Sequence, residues 1–91
     1  ATDAIALGVM TAADECNISI PDELSLLGFD NISYSGLSRI MLTTIDQRKP
    51  RLAAGAIDLL TDAIAHPDRE EDVRRIIRPA LVERNTCKAL K

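Results

Sequence analysis

The amino-acid sequence predicts an α/β fold in which a parallel sheet is flanked by helices. Residues 24–29 form an unbroken apolar run of strand length, and such runs are typical of strands covered on both faces in a parallel sheet. Segments with helical periodicity lie before and after this run, so helical and extended segments alternate along the chain. We therefore expect two helices and four or five strands in the 91 residues.

The first helix is predicted to begin at Asp3 and to fade near residues 15–17. Aspartate is a common N-cap residue because its carboxylate accepts hydrogen bonds from the free N–H groups of the first turn. Apolar side chains then recur at helical spacing, and Leu7 and Val9 extend the apolar surface almost all the way round. A short helix of this kind is expected to be buried on more than one side.

The elements after the apolar run are predicted to be a loop, a strand, a helix and a final strand. Small polar residues indicate a loop over 32–41, and residues 42–45 (LTTI) indicate a strand. Residues 48–65 are predicted to be helical because Pro50 suits a first turn and apolar residues then recur on one face. That face consists of Leu52, Ala56, Leu59, Leu60 and Ala63. Residues 73–78 alternate weakly, and residues 80–86 are expected to form the last strand.

The composition argues against several classes of function. The net charge is −3, with 11 basic and 14 acidic residues, so the chain has no basic surplus with which to hold a phosphate backbone. His66 is the only histidine, which excludes a histidine-based relay or a histidine-rich metal site. The sequence also lacks a phosphate-binding loop, a dinucleotide fingerprint and a nucleophile elbow. We therefore predict no enzyme activity, no catalytic residue, no metal and no cofactor.

The cysteine usage and the hydropathy favour a cytoplasmic protein. The sequence has two cysteines and no secretory signal pattern, which is typical of a reducing compartment with unpaired thiols. No apolar run approaches the roughly 20 residues that a membrane-spanning helix needs. We expect Cys16 and Cys87 to be ordinary thiols and expect no membrane partner.

Asp30 is the strongest candidate for a ligand contact. It follows the apolar run within the sequence GFDN (residues 28–31), and open α/β sheets bind ligands beyond the carboxyl ends of their strands. An ionised aspartate accepts hydrogen bonds from vicinal hydroxyls or from ring N–H groups, which suits a sugar or a nucleobase. The alternative is that Asp30 only caps the loop that follows. Thr2 holds the corresponding place before the first helix, and its hydroxyl could contact the same ligand.

Four blocks of sequence together resemble the lactose/galactose-repressor family of bacterial transcription regulators. They are residues 3–8 (DAIALG), 20–31 (IPDELSLLGFDN), 42–45 (LTTI) and 81–86 (LVERNT). The blocks occur in the order and at the spacing of the family and cover nearly the whole chain. The chain is similar to the last third of a sensing domain whose two lobes resemble periplasmic sugar-binding proteins (type I).

The resemblance implies specific roles for several residues. The aspartate of the GFD motif, Asp30 here, binds the effector in the cleft between the lobes. Thr2 stands where asparagine is common among cleft residues, and Lys49 and Leu52 lie near the cleft. The surface that pairs two protomers is implied to include Leu7, Met10, Thr11, Leu37 and Ser38. From the sequence, Leu7 fits a core position equally well.

The resemblance also implies how the chain is divided between the lobes. Residues 1–46 and 79–87 are expected in one lobe and residues 47–78 in the other. The expected function is that of the C-terminal part of a cytoplasmic, dimeric repressor that senses a small molecule. Operator DNA would be bound only by an N-terminal headpiece outside these residues. The alternative is part of a periplasmic sugar-binding protein of the same fold.

Overall fold

The computed structural model describes residues 1–70 and 72–89. In chain order, its elements are helix α1 (Asp3–Glu15), a short 3₁₀ helix (Ser33–Gly36), strand β1 (Thr44–Asp46), helix α2 (Lys49–Ala65) and strand β2 (Ala80–Val82). The molecule is elongated, with principal extents of 60 × 27 × 18 Å. Two helices are therefore confirmed, whereas the predicted four or five strands reduce to two strands and one isolated bridge over the described residues.

Helix α1 has the predicted extent, but Thr2 rather than Asp3 is its N-cap. Thr2 is extended (φ −65°, ψ 159°), and its Oγ1 accepts a hydrogen bond from the backbone N–H of Ile5 at 3.4 Å. Asp3 is the first helical residue, and its side chain is fully buried. The helix otherwise buries only Ala6 and Ala13, and Ile5 is 61% exposed. The prediction of burial on more than one side is therefore wrong, because a single face makes the contact, with Val9 and Met10 packed partly against the core beside the buried alanines.

The apolar run pairs in parallel with the segment that enters β1. Leu27 and Thr43 form an isolated parallel bridge. The backbone N–H of Gly28 donates to the carbonyl of Thr43 at 2.9 Å, and that of Asp30 donates to the carbonyl of Ile45, also at 2.9 Å. The predicted parallel pairing is thus present, but it is too short to form a named strand over residues 24–29.

The same run is buried on one face only. Leu26 and Gly28 point into the molecule and are buried, whereas Leu27 and Phe29 point outward and are 44% and 39% exposed. The prediction of a strand covered on both faces is therefore wrong for the described residues. An apolar run shows that a strand can be covered on both faces, but the covering depends on what packs against it.

Strands β1 and β2 form an antiparallel ribbon. Thr44 lies opposite Val82, and Asp46 lies opposite Ala80. Both strands are shorter than the predicted extended segments 42–45 and 80–86, and their antiparallel pairing was not expected from the sequence. The ribbon joins two parts of the molecule: the core unit (residues 1–43 and 83–89) and the α2 arm (residues 47–79).

The α2 arm contains the second predicted helix but little packing. Helix α2 begins at Lys49, with Pro50 in its first turn as predicted, and the preceding Arg48 is left-handed (φ 57°). No residue of α2 is buried. Leu52 and Leu60 of the predicted apolar face are 40% and 58% exposed and Leu59 is half-buried, so that face is only partly covered among the described residues.

The core unit has a small aliphatic centre that is tied together by buried polar groups. Its apolar cluster consists of Ala6, Leu26 and Leu42, with Val9, Met10, Ile20 and Ile40 packed partly against it. Thr86 connects two of the extended segments, because its Oγ1 donates to the carbonyl of Leu26 at 2.6 Å and accepts from the N–H of Thr43 at 2.9 Å. The predicted aliphatic core is confirmed, and polar bonds supplement it.

Candidate functional site

The candidate site lies at the carboxyl end of the parallel pair formed by residues 26–30 and 43–45. Asp30 is half-buried there and has a backbone φ of 129°, a region in which residues other than glycine are strained. Such strain is concentrated at functional sites. The Asp30 N–H remains bonded to Ile45, so the position is held by the pairing that precedes it.

Gln47 is part of this site, although the sequence interpretation did not select it. Its Nε2 donates a hydrogen bond to Oδ1 of Asp30. Within residues 1–70 and 72–89, this is the one hydrogen bond to that carboxylate, so further acceptor positions remain for a ligand. The signal was available: the residues after two parallel strands meet at one edge of the sheet, and Gln47 follows β1 as Asp30 follows the apolar run.

A second polar group lies directly beside Asp30. Asn31, with φ 56°, donates from Nδ2 to Oδ2 of Asp46 at 3.3 Å. The other oxygen of Asp46 accepts from the backbone N–H of Arg48 at 2.7 Å. The Arg48 N–H and then the Asn31 amide lower the pKa of Asp46 below its ordinary value. Asp46 is therefore an ionised group that fixes the turn between β1 and α2.

Thr2 reaches the same edge through the start of α1. The N–H of Asp3 donates to the carbonyl of Phe29 at 3.1 Å. Thr2 precedes Asp3 and Asp30 follows Phe29 in the chain, so this bond brings Thr2 and Asp30 to the same edge. Thr2 is exposed, and its oxygen accepts the capping hydrogen bond from Ile5. The hydroxyl proton can still be donated outward, so a ligand contact by Thr2 stays a prediction.

The buried side chain of Asp3 connects the segments that form this edge. Its Oδ1 accepts from the Thr44 hydroxyl at 2.6 Å, and its Oδ2 accepts from the Ser35 hydroxyl at 2.5 Å and from the N–H of Ile32 at 3.1 Å. Burial acts to raise the pKa of Asp3, but the hydrogen bonds outweigh it and the pKa is lowered. One carboxylate thereby joins α1, the 3₁₀ helix and β1 around the candidate site.

Lys49 and Leu52 lie in the first turns of α2, after Gln47 in the chain. Lys49 is exposed, and Leu52 is 40% exposed. Neither has a described hydrogen bond to Asp30. Their predicted place beside a cleft is therefore compatible with their exposure and stays a prediction.

The predicted dimer-interface residues line or adjoin a surface groove. The groove has a volume of about 560 Å³ and is lined by Leu7, Met10, Thr11 and Arg39, among others. Leu7 is half-exposed and is not a member of the apolar core cluster, which favours a surface role over a core role. Leu37, which is 53% exposed, and the exposed Ser38 directly precede Arg39 in the chain.

Other kinds of site are not found in the part of the chain that the structure describes. No group of three or more histidine, cysteine, aspartate or glutamate residues is placed to hold a metal ion. Cys16 and Cys87 are exposed and unpaired, as predicted. None of the helices over the described residues combines the length and the apolar character needed to cross a membrane.

Comparison with known proteins places the chain in a family. Residues 1–87 match the model of the periplasmic binding protein-like domain. The chain belongs to that domain family. This confirms the periplasmic-binding-protein-like fold predicted from the sequence, of which the small sheet and the two helices described above are a part.

The relatives are transcription regulators of the kind that the sequence resembles. The chain is 40% identical over 85 residues to the "HTH-type transcriptional repressor PurR" of Edwardsiella ictaluri, covering 92% of this chain and 24% of that protein. It is also 40% identical over 88 residues to the repressor of the same name from Histophilus somni, covering 97% and 26%. The chain thus spans about a quarter of the length of these relatives.

Solved structures agree with this grouping. A LacI family transcriptional regulator from Enterococcus faecium, with bound ribose, has a TM-score of 0.83 and 31% identity, covering 99% of this chain and 33% of that one. A periplasmic binding protein/LacI transcriptional regulator from Alkaliphilus metalliredigens, complexed with D-xylulofuranose, has a TM-score of 0.78 and 35% identity, covering 97% and 33%. The predicted resemblance to the lactose/galactose repressors is confirmed.

Proposed function

We propose that this chain is the C-terminal part of the effector-sensing domain of a cytoplasmic transcriptional repressor, and that Asp30 binds the effector. The observation that carries the proposal is the position of Asp30: a half-buried, backbone-strained carboxylate at the carboxyl end of a parallel pair. The identity to repressors along nearly the whole chain supports a sensing role over catalysis. The alternative of a periplasmic sugar-binding protein is less favoured, because these relatives are repressors.

The chemistry of the site suits a small ligand with several donor groups. The Asp30 carboxylate can accept from two neighbouring hydroxyls at once. Gln47 orients that carboxylate through its amide nitrogen, while its amide oxygen can accept from the same ligand. Thr2 can donate from the edge of α1. This set of groups fits a pentose, and it also fits a nucleobase with ring N–H donors.

The groups on the α2 arm would complete the site from the other side. Lys49 brings a positive charge and Leu52 an apolar surface to the first turns of α2. Repression would be switched if the effector binds one arrangement of the two lobes better than the other, because a ligand shifts an equilibrium only through such a difference. We assign residues 1–46 and 79–87 to one lobe and residues 47–78 to the other.

The repressor would act as a homodimer, with the groove beside α1 facing a second copy. The apolar residues of that surface favour such a contact: Leu37 is exposed and Leu7 and Met10 are half-buried, with Thr11 and Ser38 beside them. Operator DNA would be bound by sequence other than these 91 residues, because this chain carries a net charge of −3.

Isothermal titration calorimetry on the full natural protein that contains this chain tests the assignment. The probes are D-ribose, which is bound to the Enterococcus faecium regulator, and guanine, which offers several ring and exocyclic N–H donors. Asp30→Ala should weaken binding of the recognised probe by roughly 10- to 100-fold, which corresponds to the loss of one or two hydrogen bonds to a charged acceptor.

Asp68→Ala is the matched control, because Asp68 is an exposed carboxylate beyond the end of α2. It should bind the probe as the unsubstituted protein does, and far-ultraviolet circular dichroism should show unchanged helix content in both variants. An Asp30→Ala isotherm that overlays the unsubstituted one would refute the role of Asp30. Binding of neither probe would refute the proposed ligand chemistry.

A further inference from the structure

The direction of the α2 arm is not fixed by apolar packing within the described chain. No residue of α2 is buried, and none belongs to the apolar core cluster. The chain passes into the arm where it leaves β1, at residues 46–48, and returns from the arm where it enters β2, at Ala80. Contacts at these two crossings therefore have to determine how the arm is oriented.

Asn31 connects the core unit to the crossing from β1 into α2. Its Oδ1 accepts from Nη2 of Arg84 at 2.9 Å, on the returning chain, and its Nδ2 donates to Asp46 at 3.3 Å, on the outgoing chain. Asp46 in turn accepts from the N–H of Arg48 at 2.7 Å, directly before α2. Arg84 is anchored to the core unit, because its Nη1 donates to the carbonyl of Leu42 at 2.9 Å.

We propose that Asn31 is a positioning residue that sets the orientation of the α2 arm and couples that orientation to the occupancy of the effector site at Asp30. The first half of the proposal stands on the hydrogen bonds alone. The second half rests on the proposed function of Asp30, which is the preceding residue in the chain.

The chemistry of the amide explains why asparagine suits this role. One primary amide both accepts from the guanidinium of Arg84 and donates to the carboxylate of Asp46; an aspartate could only accept, and an aliphatic side chain could do neither. Asn31 and its two partners, Asp46 and Arg84, are all half-buried, so water competes less well for these bonds than at a fully exposed surface.

The backbone conformations point to the same relay. Asn31 and Arg48 are both left-handed, with φ of 56° and 57°. Asparagine adopts this region readily, whereas arginine does so rarely. The bond from the Arg48 N–H to Asp46 compensates for the unfavourable conformation, and Asn31 holds Asp46 in place for it. Loss of the Asn31 side chain should therefore make the turn of residues 46–48, which sets the direction of α2, more variable in conformation.

Two substitutions separate the side chain of Asn31 from its backbone. Asn31→Gly keeps the left-handed conformation accessible and removes both hydrogen bonds. Asn17→Gly is the matched control, because Asn17 has the same φ of 56° but is exposed at the end of α1. Asn31→Asp keeps an acceptor for Arg84 and replaces the donor to Asp46 with a second carboxylate.

Pulsed electron paramagnetic resonance on the full chain measures the orientation of the arm directly. Spin labels are attached after Ala4→Cys on α1 and Thr61→Cys on α2, both exposed positions, with Cys16→Ser and Cys87→Ser removing the native thiols. Without ligand, Asn31→Gly and Asn31→Asp should each broaden the inter-label distance distribution by about twofold. Asn17→Gly should leave it unchanged.

Equal widths in Asn31→Gly and the unsubstituted chain would overturn the positioning role. If Asn31→Gly fails to fold by circular dichroism, Asn31→Asp decides the question by the same criterion. With saturating D-ribose or guanine, whichever binds, the mean distance should shift in the unsubstituted protein and not in Asn31→Gly, while calorimetry shows affinity within about threefold. A shift of equal size in both would overturn the coupling. If neither probe binds, the proposed function fails while the ligand-free measurement still tests Asn31.

Discussion

The core unit and the α2 arm contain similar apolar side chains, but the two regions differ in how far those side chains are buried. In the core unit, Ala6 and Leu42 are fully buried, and Asp3, Ser35 and Thr86 are buried with hydrogen-bond partners. In the α2 arm, apolar residues of the same types stay in contact with solvent: Ile57, Leu60, Ile64 and Ile76 are 62%, 58%, 72% and 89% exposed. The amphipathic pattern is present in both helices, but among the described residues only α1 contributes buried side chains.

The difference shows that hydrophobicity alone does not determine which side chains of this chain are buried. Burial also requires other segments that are held against them. The apolar cluster of the core unit is small, and it is closed by polar side chains that reach across long stretches of sequence. Asp3 accepts from Ser35 and Thr44, which are 32 and 41 residues away in the chain. The arm instead has ion pairs between residues close in sequence, such as Asp62 and Arg69 near the C-terminal end of α2. The core unit should therefore be sensitive to single polar substitutions and the arm should tolerate them.

Asp3→Ala should have the largest effect on stability. It removes the acceptor for two hydroxyls and one backbone N–H that are withdrawn from water, and we expect a loss on the order of 3 to 5 kcal/mol in the free energy of unfolding. Urea denaturation followed by circular dichroism measures it. A loss below about 1 kcal/mol would show that the core unit does not depend on this carboxylate.

The same carboxylate should make stability depend on pH. The pKa of Asp3 is lowered from its ordinary value of 3.8, so the folded state binds the proton less readily than the unfolded state. The stabilisation is therefore complete at pH values above the ordinary value and is lost as the pH falls through the lowered pKa. Denaturation series from pH 7 down to about pH 2 should show this loss in the acid part of the range, and Asp3→Asn should flatten the curve. An unchanged slope in Asp3→Asn would assign the acid sensitivity to other groups.

A pair of glycine substitutions sharpens the comparison within the core unit. A Cβ at Gly28 would lie 2.1 Å from Oδ1 of Asp3 and 2.9 Å from Cδ2 of Leu42, whereas a Cβ at Gly8 would meet nothing within 4 Å. Gly28→Ala should destabilise by roughly 1 to 3 kcal/mol because Asp3 has to move. Gly8→Ala lies within α1 and should stabilise by about 0.5 to 1 kcal/mol. Thermal unfolding of both variants tests this, and similar midpoints would contradict the packing described for Gly28.

The helices and the candidate aspartate could be predicted because their signals are local. The extent of α1 and α2 follows from periodicity and from Pro50, and Asp30 follows from its place after an apolar run. The predicted cap of α1, Asp3, is wrong because Thr2 and Asp3 are both good capping residues and Thr2 takes that position. Asp3 is drawn inward by partners that are distant in sequence, and no local pattern reports them.

The parts that could not be predicted depend on distant partners or on covering segments. The apolar run predicts burial on both faces, yet Leu27 and Phe29 on its outward face are partly exposed. The exposure of a strand face depends on which segments pack against it. Gln47 is different, because its place after β1 is visible in the sequence. Applying the rule for strand ends to both strands of the pair, and not to one, would have selected it together with Asp30.

The smallest effect is expected for an ion pair on the α2 arm. Asp58 and Arg75 are joined at 3.0 Å, with side chains 62% and 50% exposed. Pairs of this kind contribute little because water screens the charges and two long side chains lose freedom. Asp58→Ala should therefore change the free energy of unfolding by less than about 0.5 kcal/mol, in contrast to Asp3→Ala. Urea denaturation of both variants in one buffer gives the comparison. A loss above about 1 kcal/mol would mean that the arm unfolds cooperatively with the core unit, and that the ribbon transmits stability between them.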